Sequence, residues 1–129
     1  MTPKFLDPLI SEAVLPDTWR LGARFAYRTL ITGKPLVITV PAGFENDLAS
    51  IPRALMWAFP VNGRHRWAAV IHDWLYSNTG ILGDRMKFTR KQCDQIFLEG
   101  MKAMGVPWWK RHSMYRGVRA GGWVRWNQL

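Results

Sequence analysis

An acidic residue inside an apolar helix face constrains this chain more than any other feature of its sequence. The segment TRKQCDQIFLEGMKAMG (89–105) predicts a helix that Thr89 caps and Gly105 ends. Asp94 projects within the apolar stripe of this helix, and a carboxylate that faces a core costs several kcal/mol unless a partner bonds or neutralises it. The fold must therefore bring a partner to Asp94. The stripe itself consists of Cys93, Phe97, Met101 and Met104.

A second predicted helix offers that partner. From Trp67 onward, apolar residues recur at the spacing of one buried helix face. His72, Asp73 and Tyr76, within AAVIHDWLY (68–76), cluster on the opposite side of the same helix. Two antiparallel helices joined by a loop would place His72 within reach of Asp94, so we predict a hydrogen bond between them.

The predicted arrangement has the chemistry of a hydrolytic site. An imidazole that bonds a buried carboxylate is held in one tautomer, and its other nitrogen can take a proton from water. His72 would be this base, Asp94 its orienting partner and Tyr76 a support through its hydroxyl. Asp73 points about 100° away from His72. With loop carbonyls it could ligate a hard cation such as calcium, which would polarise an ester carbonyl.

A purely structural interpretation stays open beside the catalytic one. His72 and Asp94 could form a buried hydrogen-bonded pair that only fixes the register of two helices. His65 and His112 are each flanked by Arg or Lys and are interpreted as surface residues. Cys93 is interpreted as a packing residue rather than a nucleophile.

The whole chain, 1–129, predicts a single α+β domain that is mainly helical. Residues 1–20 contain three prolines and no periodicity, which predicts an irregular arm. Two β-branched and aromatic segments predict a small β-hairpin or ribbon with its turn within 21–52. Three helices, the antiparallel pair and a third beginning at Pro107, form the predicted helical core over 67–126.

The positive charge of the chain is unevenly placed. Its net charge is +9, it contains eight tryptophans, and no acidic residue follows Glu99. A cationic, Trp-rich surface suits an anionic partner such as phospholipid headgroups, nucleic acid or an acidic face of another protein. A basic solvated face with the tryptophans in the core is the alternative. The segment after Glu99 holds Lys102, Trp108, Trp109, Lys110, Arg111, Arg116, Arg119, Trp123, Arg125 and Trp126.

Four stretches resemble a family of small phage and prophage proteins catalogued as domain of unknown function 1353. They are VPAGFENDLASIP (40–52), AAVIHDWLY (68–76), CDQIFLEGM (93–101) and YRGVRAGGWVRW (115–126). The resemblance implies a phage-encoded gene and brings no activity with it. The single cysteine suits a reducing compartment. We expect neither a signal peptide nor a membrane span, hence synthesis in the host cytoplasm, and incorporation into the virion is a further expectation.

HDWLY followed by a helix with CDQIF is similar to the core of the phospholipase A2 superfamily, whose viral capsid-borne members are nearest. That resemblance implies His72 as catalytic base, Asp73 as calcium ligand, Asp94 as the histidine partner and Tyr76 as its support. The superfamily binds calcium with a glycine-rich loop before this helix. The corresponding stretch here is PVNGRHR, which implies Asn62 and Gly63 as further ligands.

Three functions follow as expectations. The first is a phospholipase A2-like ester hydrolase, metal-dependent and acting on host membrane lipid. The second is a non-enzymatic virion component of a tail, baseplate or head-completion assembly, docking through its basic Trp-rich surface as part of an oligomer. The third, a nucleic-acid-binding accessory protein, rests on charge alone.

Overall fold

The structure, a computed structural model, describes residues 2–15, 18–47, 63–82 and 86–127. Within these ranges, six short strands precede the main helices and two more lie between the first and the second helix. The strands are β1 Lys4–Phe5, β2 Ser11–Leu15, β3 Thr18–Leu21, β4 Phe25–Thr29, β5 Leu36–Val40, β6 Glu45–Asn46, β7 Ile81–Leu82 and β8 Met86–Lys87. The helices are α1 His65–Ser77, α2 Arg90–Ala103, α3 Trp108–Gly121 and α4 Trp123–Asn127.

The prediction of a mainly helical protein is wrong. The strands of the described residues form three small sheets, ordered β1-β4-β5, β2-β3-β6 and β7-β8, and the N-terminal part consists mostly of sheet. The predicted irregular arm over 1–20 contains β1, β2 and most of β3. Its prolines do not prevent them, because Pro3 lies just before β1 and Pro8 lies between β1 and β2.

The predicted hairpin within 21–52 is present as β4 and β5. Their register pairs Phe25 with Val40 and Tyr27 with Ile38, and all four of these side chains are buried. Gly33 turns the chain between the strands with φ +85°, a conformation that favours glycine. The hairpin therefore presents one apolar face, which packs into the same core as α1.

The helices α1 and α2 form the predicted antiparallel pair. His72 lies against Asp94, and Ala68, one turn earlier in α1, lies beside Gly100 in α2. A Cβ at Gly100 would lie 3.0 Å from the Ala68 Cβ, so the small residues let the helices approach closely. The predicted cap is also confirmed: Thr89 and Gln92 form a capping box at the start of α2.

The helical core begins at His65, two residues earlier than predicted, and is interrupted between α1 and α2 by the β7–β8 hairpin. Because the sheets cover one side of α1 and the helices α2 and α3 cover the other, α1 is buried nearly all round. This burial overturns the surface interpretation of His65, which is 3% exposed. Cys93 is buried in the core as predicted.

Candidate active site

The side chains of His72 and Asp94 meet as predicted. His72 Nε2 lies 2.7 Å from Asp94 Oδ1, and both residues are 0% exposed. The Tyr76 hydroxyl donates to the same carboxylate oxygen at 2.6 Å. An ionised carboxylate only accepts hydrogen bonds, so His72 carries its proton on Nε2 whenever Asp94 is charged. The site thus fixes both the orientation and the tautomer of the imidazole.

Helical spacing places these groups together. His72 and Tyr76 are one turn apart on α1, and their rings lie 4.3 Å from each other. Asp94 lies near the start of α2, and Phe97, three residues later, flanks the imidazole at 4.9 Å. The His72 ring is therefore held between two aromatic rings with its Nε2 edge on the carboxylate.

Two arginines also reach Asp94, and neither was predicted. Arg119, near the end of α3, donates to Asp94 Oδ2 at 2.8 Å, and Arg90 lies 3.6 Å from the same oxygen. Arg90 further donates to the carbonyl oxygens of Val118 and Arg119. The guanidinium groups thereby tie the end of α3 to α2 beside the buried carboxylate. Arg90 could have been found from the sequence, because it precedes Asp94 by the four residues that bring side chains together on a helix.

The electrostatics of the site keep Asp94 ionised. Burial alone would raise the pKa of its carboxyl, but the hydrogen bond and charge of His72 and the hydrogen bonds of Tyr76 and Arg119 lower the pKa below 3.8. Burial, together with the hydrogen bond to Asp94, raises the pKa of Tyr76 above its usual 10. Burial also raises the pKa of the neighbouring Cys93 thiol to about 12. The tyrosine and the cysteine are therefore neutral at physiological pH, and Asp94 carries the negative charge.

The end of α3 and the short α4 pack over this site. The Trp126 ring contacts the Tyr76 ring edge to face at 5.2 Å. A Cβ at Gly122 would lie 2.6 Å from the Tyr76 hydroxyl, so the backbone passes directly against it. With His72, Tyr76 and Asp94 all at 0% exposure, solvent and solutes reach the imidazole only when the surrounding packing opens.

The predicted calcium ligands are not brought together in this way. Asp73 lies on α1 and is 2% exposed. Gly63 precedes the helix, and its carbonyl oxygen accepts the Arg66 amide at the first turn. The rise of about 1.5 Å per residue between His65 and Asp73 places Gly63 more than about 10 Å from Asp73, too far to share one cation. Asn62 lies outside the described residues.

In the parts of the chain that the structure describes, no group of three His, Cys, Asp or Glu side chains is arranged to hold a metal ion. The described helices include none that is long and apolar enough to cross a bilayer.

Glu99, a partly buried residue of α2, has a structural role. Glu99 Oε1 accepts hydrogen bonds from the Tyr27 and Thr29 hydroxyls, each at 2.7 Å, and Oε2 accepts from the Leu30 amide at 3.3 Å. One carboxylate therefore joins the β4–β5 sheet to the helix that carries Asp94. No local pattern predicts this role, because the partners of Glu99 lie about seventy residues away in the chain.

Most of the chain matches the model of one protein family. The model of the family described as "Protein of unknown function (DUF1353)" matches residues 19–118, and the chain belongs to this family. The match includes His72, Tyr76 and Asp94, and it ends one residue before Arg119.

One curated protein is similar in sequence to part of the chain. "Uncharacterized protein y4jT" of Sinorhizobium fredii (strain NBRC 101917 / NGR234) is 35% identical over 86 residues, which is 64% of this chain. The matched region spans 23% of that relative's length. No solved structure matches the chain significantly.

Proposed function

We propose that the chain is an ester hydrolase in which His72 acts as general base on water. The contact between His72 Nε2 and Asp94 Oδ1 carries this proposal, because it orients the imidazole and fixes its tautomer. The Tyr76 hydroxyl, bonded to the same oxygen, holds the carboxylate in place.

In the proposed reaction, His72 takes one proton from water and later gives it to the leaving group. His72 Nδ1 takes a proton from water as the water oxygen attacks the ester carbonyl, and Asp94 stabilises the imidazolium that forms. The imidazolium then returns the proton to the departing alkoxide as the carbon–oxygen bond breaks. Because the site is closed, its packing must open before this reaction can take place.

The proposed substrate is a membrane lipid ester of a bacterial host, and the gene is proposed to be phage- or prophage-borne. The similarity of HDWLY and CDQIF to the phospholipase A2 core supports a lipid substrate, and the family resemblance supports the phage origin.

We also propose that calcium binds at Asp73, with Gly63 not among its ligands. Calorimetry with calcium chloride tests it: heat lost in Asp73→Asn supports a site there, and no heat from the parent at millimolar calcium removes it.

A second candidate function is that of a non-enzymatic component of a virion, and the complete burial of His72 and Asp94 favours it. Four side chains converge on Asp94 from three helices, which is what a network that fastens helices together requires. In this function His72 is a packing residue and never meets water.

Fatty-acid release from mixed phosphatidylglycerol and phosphatidylethanolamine vesicles separates the two candidates. The parent is compared with His72→Gln, and His112→Gln serves as a matched histidine control on α3. The hydrolase predicts that His72→Gln loses at least about a hundredfold in rate while the control keeps its rate. Thermal unfolding of all three proteins shows whether a loss reflects chemistry or folding. If the folded parent and both variants are equally inert, the structural candidate stands instead.

A further inference from the structure

Several large apolar side chains of the last two helices point into solvent. Trp108 and Trp109 at the start of α3 are 64% and 62% exposed, and Trp123 and Val124 in α4 are 53% and 46% exposed. Burying such side chains would stabilise a folded chain, so a row of them at the surface indicates a surface that is covered by something else.

The helices α3 and α4 form a nearly continuous helix. Gly122, between them, has helical φ and ψ values of −65° and −20°, and its amide donates to Val118 as in a continuing helix. Trp109, Arg116 and Trp123 follow at intervals of seven residues, which at about 100° per residue lie within a sector of about 40°. The buried residues of the same segment lie on the opposite side: Met114, Val118 and Gly122.

This outward face, defined by Trp109, Arg116, Trp123 and Val124, is aromatic at both ends and small or basic between them. It is about 21 Å long, from Trp109 to Trp123. Exposed Ser113 and Ala120 leave its middle flat. No acidic residue follows Glu99 in the sequence, so the face carries only positive formal charge.

We propose that this face docks on an anionic lipid bilayer, with the helix lying in the plane of the interface. Indole rings favour the headgroup level of a membrane, and basic side chains between them attract anionic lipids. Charge complementarity selects an anionic surface, and the exposed Trp and Val side chains select lipid over nucleic acid, whose backbone is bound chiefly through charge. Docking needs no catalysis, so it goes beyond the proposed function and stands or fails separately from it.

Flotation with vesicles tests the surface directly. The parent should bind vesicles that contain phosphatidylglycerol and should bind pure phosphatidylcholine at least about tenfold more weakly. The double variant Trp109→Ala/Trp123→Ala and the single variant Arg116→Glu should each lower partitioning about tenfold or more. All three positions are exposed, so the variants are expected to fold as the parent does.

Matched controls lie on the sheet side of the molecule. Ile10→Ala removes a side chain that is 52% exposed, and Lys34→Glu reverses an exposed charge in the β4–β5 turn; both should leave binding unchanged. His72→Gln should bind vesicles like the parent, which separates docking from catalysis. Equal binding by the parent and the face variants overturns the proposal. So does binding to duplex DNA or to an acidic protein with no binding to vesicles.

Discussion

His72 and Arg119 bind opposite oxygens of one buried carboxylate. The imidazole lies 2.7 Å from Oδ1 of Asp94 and the guanidinium 2.8 Å from Oδ2, so α1 and α3 are joined through a side chain of α2. The negative charge that orients the histidine is thus also the charge that holds the third helix. The orientation of His72 and the attachment of α3 therefore depend on the same carboxylate.

Asp94→Asn should therefore destabilise the fold strongly. The change keeps the shape of the side chain but leaves Arg119 without its anion. Breaking a fully buried ion pair costs about 3–5 kcal/mol, and because the Arg119 side chain is 31% exposed we expect a loss at or below the lower end of that range. Urea unfolding measures the loss, and Lys91→Gln, on the exposed side of the same helix, should change stability by less than about 0.5 kcal/mol. A loss below about 1 kcal/mol for Asp94→Asn would mean that the network adds little to stability.

The acid stability of the parent should depend on His65. Burial, assisted by the charge of Lys110, lowers the pKa of His65 from 6.5 to about 4. Between these two values the unfolded state binds the proton that the folded state refuses, so stability falls as the pH drops from 6.5 to 4. One such proton gives a slope of about 1.4 kcal/mol per pH unit.

The measurement is the unfolding free energy against pH for the parent and His65→Leu. The variant should lose this slope, whereas His112→Leu should keep it. The Asp94 carboxyl acts at lower pH: because its pKa is lowered, its stabilisation is present above 3.8 and is lost as the pH falls further. An unchanged slope in His65→Leu would assign the acid sensitivity to other groups.

Glu99→Gln should loosen the sheet from α2. The carboxylate accepts from two hydroxyls and one amide, and hydrogen bonds to a charged group contribute about 1.5–3 kcal/mol. We expect a loss of about 2 kcal/mol in urea unfolding, discounted because Glu99 is only partly buried. A double-mutant cycle with Tyr27→Phe measures the pairwise part, and strictly additive losses would show that the two side chains do not interact.

Gly122→Ala should displace the end of α3 from the site. The added Cβ would lie 2.5 Å from the Val118 carbonyl oxygen and 2.6 Å from the Tyr76 hydroxyl, so the backbone must shift. Overpacking of this kind costs about 1–3 kcal/mol. Thermal unfolding should show a clear drop for Gly122→Ala and little change for Ala120→Ser, which is exposed on the opposite face. Equal stability of both variants would contradict the close contact between the Gly122 backbone and the Tyr76 hydroxyl.

The pairing of His72 with Asp94 could be predicted from sequence because the need for a partner at Asp94 follows from its own helix. An acid inside an apolar stripe must find a partner, and the facing helix offers His72 at the matching position. The cap at Thr89 is equally local, since the capping box needs only residues three apart. Where a residue's environment follows from its own helix or its own turn, the sequence and the structure agree.

The rest depends on how separate elements pack. The arm predicted over 1–20 is wrong because β1 has only two residues, too few for a period of two to be recognised, and β2 shows no strict alternation of buried and exposed residues. The contact of Arg119 with Asp94 requires the rotation of α3 against α2, which no local pattern encodes. His65 was assigned to the surface because of its neighbours Arg64 and Arg66, yet its ring is buried at the start of α1.

The reactivity of Cys93, the residue before Asp94, reports how often the closed packing of this site opens. Cys93 is the sole thiol of the chain, it is fully buried, and burial raises its pKa to about 12. A thiol-alkylating reagent can therefore react only during excursions that part α2 from its neighbours. Because an opening need not end in alkylation and water is smaller than the reagent, the rate of Cys93 alkylation sets a lower bound on how often solvent reaches the interior beside Asp94.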